Sequence, residues 1–200
     1  MILGHYIIKK YRSLNGQGLG TRFIIVGIPL IPIQSFYFLD KKKSFEVDLY
    51  WRQVVKIYMI MISIIILCFM FGSNAGYYSN HNTFKVKVGL LVLVNVLVLY
   101  FLDFYPKKDK QIRLLLEDAV GINALPKFLG HEMAYNIQKG FIQSFGGNWK
   151  DKILSKEYSL GEVPLLFSIA VYEQYLFKSE KNQKMVDLLF NEYSKIKNLN

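Results

Sequence analysis

Cysteine is almost absent from this 200-residue sequence, which contains only Cys68. A single thiol cannot form an internal disulfide, so a small secreted fold held together by disulfides is excluded. Residues 1–12 also lack the order of charged, apolar and small residues that marks a cleavable signal peptide. We therefore expect the first apolar segment to act as its own, uncleaved insertion signal.

Lys, Arg, Asp and Glu are missing from the whole of residues 57–84. The densest part of this stretch is IYMIMISIIILCFMFG, and with Val54 and Val55 it is long enough for a helix of about 30 Å. A second apolar run, VGLLVLVNVLVLYFL, fills residues 88–102, and Lys85 and Lys87 can extend it by snorkelling. A buried helix or strand is the alternative for each run. Two such runs are hard to bury in so small a chain, and a lone strand cannot satisfy its backbone in lipid.

Acidic residues are too few to balance the basic ones, since 25 Lys and Arg face 15 Asp and Glu and leave a net charge of +10. Residues 1–53 hold eight basic and three acidic residues, whereas residues 103–200 hold fourteen and twelve. The excess therefore lies towards the N-terminus and beside the apolar runs, which indicates contact with anionic lipid headgroups. No basic-aromatic motif accompanies the charge, so a nucleic-acid partner is not expected.

Basic residues flank both apolar runs but not the connection between them. They are Lys41, Lys42, Lys43, Arg52 and Lys56 before the first run, and Lys107, Lys108, Lys110 and Arg113 after the second. The connection, GSNAGYYSNHNTF, has neither Lys nor Arg. The positive-inside rule then predicts that both termini are cytoplasmic and that the connection is outside. Aromatic side chains stand where interfacial anchors are expected: Tyr77, Tyr78, Tyr100, Phe104 and Tyr105.

Two polar residues interrupt the apolar runs, and they have matching positions. Ser63 lies seven residues after Lys56, and Asn95 lies eight residues before Asp103. In a helical hairpin both would lie at a similar depth, so we predict that Asn95 hydrogen-bonds Ser63 or its backbone. Pairing of Asn95 with a second copy or another protein is the alternative. Lys56 and Asp103 are predicted to pair at the inner boundary.

The N-terminal segment has the composition of β-strands. We predict strands over residues 5–12, 21–28, 35–39 and 45–50, with a hairpin turn at Asn15-Gly16. Pro29 and Pro32 favour an edge or a bend over a central strand. The glycines at 16, 18 and 20 match neither a dinucleotide fingerprint nor a phosphate loop, so no cofactor is predicted.

A resemblance follows from Gly20-Thr21-Arg22, Pro29-Leu30-Ile31-Pro32 and Ser35-Phe36-Tyr37. This arrangement resembles a small β module, with a Gly-Thr step and a Pro-x-x-Pro step, found ahead of membrane spans in uncharacterised bacterial membrane proteins. The resemblance covers about 35 residues and implies a protein of the bacterial cytoplasmic (inner) membrane. Some proteins with such a module carry cysteine pairs for zinc. This chain has none there, so no metal site is expected.

After Pro106 the pattern becomes helical. Apolar stripes mark helices over residues 111–120 and 126–145, a helix that runs through 165–178, and a last one ending near Lys197. A short helical turn is predicted at Trp149–Ser155, and Leu165–Tyr172 is apolar nearly all round. That segment is predicted to be the centre of a helical bundle or to rest on the membrane surface. Ser159-Leu160-Gly161-Glu162 matches a capping box. His131-Glu132-x-x-Tyr135 lacks the second histidine of a zinc hydrolase, so no metal is assigned to it.

The predicted fold class is a membrane α+β protein in three parts. Residues 1–53 form a cytoplasmic β module, 54–105 a two-helix transmembrane hairpin with spans of about 54–72 and 85–103, and 106–200 a cytoplasmic all-α bundle. The predicted function is that of a membrane-anchored interaction or accessory protein with an unknown membrane or cytoplasmic protein partner and no catalytic activity. A homo-oligomeric transporter or channel subunit is the main alternative. An enzyme acting on lipid would have only Lys56, Asp103, His131 and Glu132 available.

Overall fold

The computed structural model of the chain describes residues 3–26, 28–40, 42–74 and 81–197. The chain forms two compact units. Met1–Leu49 and Pro106–Asn200 make one, here named the sheet–helix unit, and Tyr50–Tyr105 make the other, here named the hairpin unit. The predicted aromatic anchors Tyr77 and Tyr78, and the basic residue Lys41, lie outside the described residues.

The N-terminal segment forms an antiparallel sheet in the order β1-β2-β3-β4. The strands are Leu3–Leu14, Gln17–Val26, Ile28–Phe38 and Ser44–Val47. Asn15 and Gly16, with φ angles of 49° and 82°, make the two-residue turn between Leu14 and Gln17. Two positive φ angles are what a type I′ hairpin turn requires, and Asn-Gly is the pair that adopts them most readily.

The prolines of β3 lie in the part of the strand that β4 does not reach. The β3–β4 register runs from Ser35 opposite Val47 to Phe38 opposite Ser44. Pro32 lies opposite Phe23, and the β2–β3 register shifts on both sides of that pair. Because proline cannot donate to a strand neighbour, it is tolerated at such an edge and beside such irregularities.

The motif residues of β2 and β3 meet across the sheet. Thr21 lies opposite Ser35, and their hydroxyl oxygens are 2.9 Å apart in a fully buried position. Gly18 is needed because a Cβ at this position would lie 2.9 Å from Ser13 Cα. Small residues therefore occupy the positions where neighbouring strands approach most closely. The ring of Tyr37, from β3, is buried in the same sheet–helix unit.

The hairpin unit contains the two longest helices, α1 over Trp51–Asn74 and α2 over His81–Asp103. Within them, Trp51–Phe71 and Lys85–Asp103 are long and apolar enough to cross a membrane. Both helices begin before the apolar runs of the sequence. The backbone is already helical at residues 51–53 and 81–84, which precede the two runs.

The C-terminal segment is all-α. Its helices are α3 over Lys107–Val120, α4 over His131–Phe145, α5 over Trp149–Ser155, α6 over Val163–Leu176 and α7 over Glu180–Ile196, with a 3₁₀ turn at Pro126–Phe128. Left-handed glycines end α3 at Gly121 and α4 at Gly146, as is usual at helix C-termini.

Helix α6 is the centre of this helical segment. It packs against α3, α4 and α7, and its residues from Leu166 to Glu173 are all buried. From α7, Met185, Leu189 and Tyr193 are buried towards the core, whereas Ile196, on the same predicted stripe, is 42% exposed. Of the two interpretations of Leu165–Tyr172, the central helix is therefore the one found, and the segment is not a surface helix.

The turn before α6 contains only one of the two hydrogen bonds of the predicted capping box, the one from the Ser159 backbone N–H to the Glu162 carboxylate. Helix α6 begins at Val163, and the Glu162 carboxylate accepts hydrogen bonds from the Ser159 backbone N–H (2.7 Å) and hydroxyl (3.0 Å). The Ser159 side chain thus donates to Glu162 and does not cap a helical N–H. Lys152 adds an ion pair to the same carboxylate at 2.8 Å.

These donors make Glu162 a source of pH-dependent stability. The hydrogen bond from Lys152, followed by those from Ser159, lowers the pKa of Glu162 from 4.5 to about 2. A depressed folded-state pKa stabilises the protein above the unfolded pKa, and that contribution is lost as the pH falls from about 5 to about 2. We expect Glu162→Gln, in a Trp51→Phe background, to flatten this part of the acid limb in unfolding followed by Trp149 fluorescence. Glu157→Gln, at an exposed neighbouring acid, should leave the limb unchanged.

Candidate functional site

The hairpin unit presents an almost continuous apolar surface. Gln53 and Val54 are the only buried residues of Trp51–Phe71, and no residue of Lys85–Asp103 is buried, in the part of the chain that the structure describes. Large exposed side chains cover both helices, among them Ile62, Ile64, Phe69, Leu93 and Phe101. Contiguous exposed apolar surfaces of more than a few hundred Å² usually mark sites of contact with protein or membrane.

The polar residues of the two helices face each other. Ser63 Oγ donates to Asn95 Oδ1 at 2.6 Å, and Asn95 Nδ2 donates to the Leu91 carbonyl at 2.8 Å. Ser63 Oγ also lies 2.7 Å from the Met59 carbonyl oxygen, so the one hydroxyl proton is shared between two acceptors. The structure therefore brings together the two polar residues that interrupt the apolar runs, and it uses the Asn95 amide inside the hairpin.

The boundary pair is also formed. Lys56 Nζ lies 2.5 Å from Asp103 Oδ2, with side-chain exposures of 27% and 49%. Together with the Ser63–Asn95 bond, this pair joins the two antiparallel helices at two levels, since Ser63 lies seven residues from Lys56 and Asn95 lies eight residues from Asp103. An exposed ion pair of this kind contributes at most about 1 kcal/mol.

The sheet–helix unit contains a buried polar network that the sequence did not reveal. Arg113 is one of the basic residues that follow the second apolar run, but its side chain is only 1% exposed and does not face solvent or headgroups. Its guanidinium donates to the Asn123 carbonyl at 2.7 Å and to Asn123 Oδ1 at 2.5 Å. Tyr37 OH, from β3, lies 3.2 Å from the same guanidinium and donates to Asn123 Oδ1 at 2.7 Å.

Asn123 extends this network to the first hairpin turn. Its backbone N–H donates to Gln17 Oε1 at 2.9 Å, and its Nδ2 donates to the Leu14 carbonyl at 3.0 Å. Glu117 Oε2 accepts from both Asn123 Nδ2 and Asn15 Nδ2. The network thus joins the β1–β2 turn, β3 and α3, which come from distant parts of the sequence.

An open cleft of about 710 Å³ lies among α4, α5, α6 and the start of α7. Its wall includes three nearly buried polar side chains, Gln138, Glu173 and Asn182, which are 2%, 5% and 6% exposed. Tyr135 and Phe177 also line the cleft and are about half exposed. Ligand sites usually combine an apolar and aromatic lining with a small number of polar groups, and this cleft contains both kinds of side chain.

Glu173 is the charged centre of the cleft. Its Oε2 accepts from Gln138 Nε2 at 2.6 Å, and its Oε1 lies 2.5 Å from Lys150 Nζ. The sequence did offer a signal, because Glu173 is the one acidic residue in the otherwise apolar run of α6. Gln138, Lys150 and Asn182 carry no such signal, since only the folded helices bring them to the same cleft.

A smaller cavity of about 300 Å³ carries the acidic side chains Glu46, Asp48 and Glu132. Asp48 packs so tightly on Gly130 that a Cβ there would meet its carboxylate oxygen at 2.0 Å. Within the described ranges no group of three or more His, Cys, Asp or Glu side chains is arranged to hold a metal ion. His131 and Glu132 lie exposed at the start of α4.

Comparisons with protein-family models, with curated proteins and with solved structures find no match for this chain. The resemblance of its N-terminal residues to a bacterial membrane β module therefore stays a prediction. Any function has to be argued from the apolar hairpin, the polar network and the cleft.

Proposed function

We propose that the chain is a membrane-anchored interaction protein, held in the bacterial cytoplasmic membrane by two spans with both termini in the cytoplasm. The observation that supports the anchor best is the exposed apolar surface of Trp51–Phe71 and Lys85–Asp103. At 1.5 Å per residue, segments of 21 and 19 residues are about 30 Å long, which matches the hydrocarbon core of a bilayer. Lipid tails cover such surfaces without a protein partner.

The two-span arrangement is supported by the make-up of the sheet–helix unit. Residues before the hairpin and residues after it fold into one compact unit. A chain that enters a bilayer from this unit has to return to the same side in order to complete it. The basic residues Arg52, Lys56, Lys107 and Lys108 near the hairpin ends indicate that this side is the cytoplasm.

The interaction role is supported by the cleft. The cleft lies in the folded sheet–helix unit and exposes the aromatic side chains of Tyr135 and Phe177. Aromatic residues are enriched where proteins bind one another. The transporter alternative has less support, because the Asn95 amide that would face a pore is hydrogen-bonded to Ser63 and Leu91 within one hairpin.

The anchor and its orientation can be tested by cysteine labelling. With Cys68 replaced by alanine, Ser79→Cys and Leu160→Cys each introduce a single thiol. We expect a membrane-impermeant maleimide to label the first variant in intact spheroplasts and the second only after permeabilisation. Labelling of Leu160→Cys in intact spheroplasts, or recovery of the protein in the soluble fraction, would contradict the proposal.

The interaction role calls for a separate experiment. A photo-crosslinking residue at Phe177 samples the cleft, and the same residue at Leu160, which is 75% exposed, samples surface outside it. We expect one partner crosslinked from 177 and not from 160. Crosslinks from 177 to a second copy of this chain and to no other protein would support the homo-oligomeric alternative instead.

A further inference from the structure

The cleft around Glu173 offers an excess of hydrogen-bond acceptors. Gln138 Nε2 donates to Glu173, and Asn182 Nδ2 donates to the Phe177 carbonyl at 2.6 Å. The amide orientations are fixed, because a flipped amide would place its oxygen against a carboxylate or carbonyl oxygen. Among the residues that the structure describes, neither amide oxygen receives a hydrogen bond, and neither oxygen is sealed from solvent, so both can accept from a ligand in the cleft.

The cleft already holds one cation of its own. Lys150 Nζ contacts Glu173 from α5 and lies 5.2 Å from the centre of the Trp149 ring. The Lys150 side chain is 47% exposed, whereas that of Glu173 is 7% exposed. The carboxylate is therefore fixed in the wall, and the lysine reaches it from the solvent side. A flexible side chain in this position can leave when a better-fitting cation arrives.

A guanidinium group fits these acceptors better than an ammonium group does. Its planar fork carries five N–H donors, it binds carboxylates in a bidentate manner, and it stacks on aromatic rings. The wall supplies the Glu173 carboxylate and the oxygens of Gln138 and Asn182, and the rings of Tyr135 and Phe177 are exposed beside them. An anion would fit less well, because the donors that it needs, the Lys150 ammonium and the Gln138 amide N–H, already bind Glu173.

We propose that this cleft binds an arginine side chain of a protein partner, whose guanidinium replaces Lys150 at Glu173. The inference rests on the proposed interaction role in one respect, namely that the arginine belongs to a protein partner. The guanidinium binding itself depends only on the cleft. Arginine is also among the residues most enriched at the energetic centres of protein interfaces.

The test uses the full-length protein in detergent micelles and the probe Nα-acetyl-argininamide. The chain has two tryptophans, Trp51 and Trp149, so Trp51→Phe leaves Trp149, in the cleft wall, as the only fluorescent indole. We expect a saturable change in Trp149 fluorescence, at millimolar concentrations for so small a probe, roughly the range for a single side chain. The neutral analogue Nα-acetyl-citrullinamide should bind at least about tenfold more weakly, because hydrogen bonds to an ionised donor are about twice as strong.

Two variants test whether the probe binds in this cleft. Phe177→Ala removes an exposed stacking surface without touching the core and should weaken binding about threefold or more. Lys150→Met removes the competing cation and should strengthen it by a similar factor, roughly the value of a half-exposed ion pair. Leu160→Ala, an exposed control away from the cleft, should change nothing. Glu173→Gln should abolish binding, but Phe177→Ala is the safer variant because Glu173 is buried.

Three results would overturn the inference. They are no saturable change with the capped arginine, weaker binding in Lys150→Met, or binding of free arginine without binding of the capped form. The last result would identify a small-molecule site in place of a partner's side chain. None of these results bears on the membrane anchor, which is decided by the maleimide labelling of Ser79→Cys and Leu160→Cys.

Discussion

Replacing Arg113 with alanine is expected to lower the free energy of unfolding of the sheet–helix unit by about 3 kcal/mol or more. The substitution removes the side-chain donor to the Asn123 carbonyl and one of the two donors to Asn123 Oδ1, in a position that is closed to water. It also leaves the Tyr37 hydroxyl without its guanidinium neighbour. Domains are stable by only about 5–15 kcal/mol, so a loss of this size is a large part of the total.

Urea unfolding of the Trp51→Phe protein, followed by Trp149 fluorescence, measures this effect because Trp149 lies in the sheet–helix unit. Lys110→Ala is the matched control, since Lys110 is an exposed cation on the same helix α3. It should change the unfolding free energy by less than about 0.5 kcal/mol. Equal effects of the two variants would show that the buried network does not contribute to the free energy of unfolding.

Arg113→Lys distinguishes the geometry of the network from its charge. A lysine keeps the positive charge, but its single ammonium cannot reach both Asn123 oxygens and Tyr37 in the planar arrangement of the guanidinium. We therefore expect Arg113→Lys to lie closer to Arg113→Ala than to the unmodified protein in the same titration. A lysine variant of full stability would show that charge alone is required.

Local signals predicted much of the secondary structure. The Asn15-Gly16 turn, the prolines of β3 and the apolar runs of α1 and α2 each depend on neighbouring residues and on rules of backbone geometry. The helix boundaries were less accurate, because Trp51 and His81 start helices in residues with weak preferences of their own. Helix ends are decided by capping and packing as much as by composition.

The long-range features could not be read from the sequence. Arg113 lies in the segment KKDKQIRLLLEDAV, where its charge and spacing resemble those of the exposed residues around it. Its burial depends on Asn123, Tyr37 and Gln17, which are up to about a hundred positions away. The cleft has the same character, because Gln138, Lys150 and Asn182 become neighbours only once α4, α5 and α7 have packed around α6.

The Ser63–Asn95 contact is an intermediate case. Its prediction required only that two helices form a hairpin with aligned ends, so that counting from Lys56 and Asp103 gave the depth of each residue. A regular rise of 1.5 Å per residue makes such counting reliable in straight helices. Counting of this kind fails for α3 to α7, where crossing helices and short turns break the register.

An arginine in the middle of either span is expected to impair membrane insertion strongly. A central arginine costs about 3 kcal/mol on the insertion scale, whereas each Leu, Ile, Val or Phe contributes only about 0.3–0.6 kcal/mol in favour. Leu93 and Ile62 lie near the middle of the two spans and are more than half exposed, so their arginine variants would face lipid. Leu160→Arg makes a matched change at an exposed leucine of the sheet–helix unit and should have no effect.

The two spans should not respond equally. The second span is shorter, with 19 residues against 21, and it already contains Asn95. Its margin for insertion is therefore smaller. If the second span fails while the first inserts, residue 79 stays outside and the C-terminal residues follow it, so we expect Leu93→Arg to make Leu160→Cys accessible in intact spheroplasts. Ile62→Arg acts on the first span and should instead reduce the outside labelling of Ser79→Cys. If both arginine variants label like the unmodified protein, the helices are not in lipid, and their exposed apolar surface must be covered by protein. A lipid-embedded hairpin requires outside labelling of Leu160→Cys in the Leu93→Arg protein and a loss of outside labelling of Ser79→Cys in the Ile62→Arg protein, because a central charge is costly in a helix that lipid surrounds.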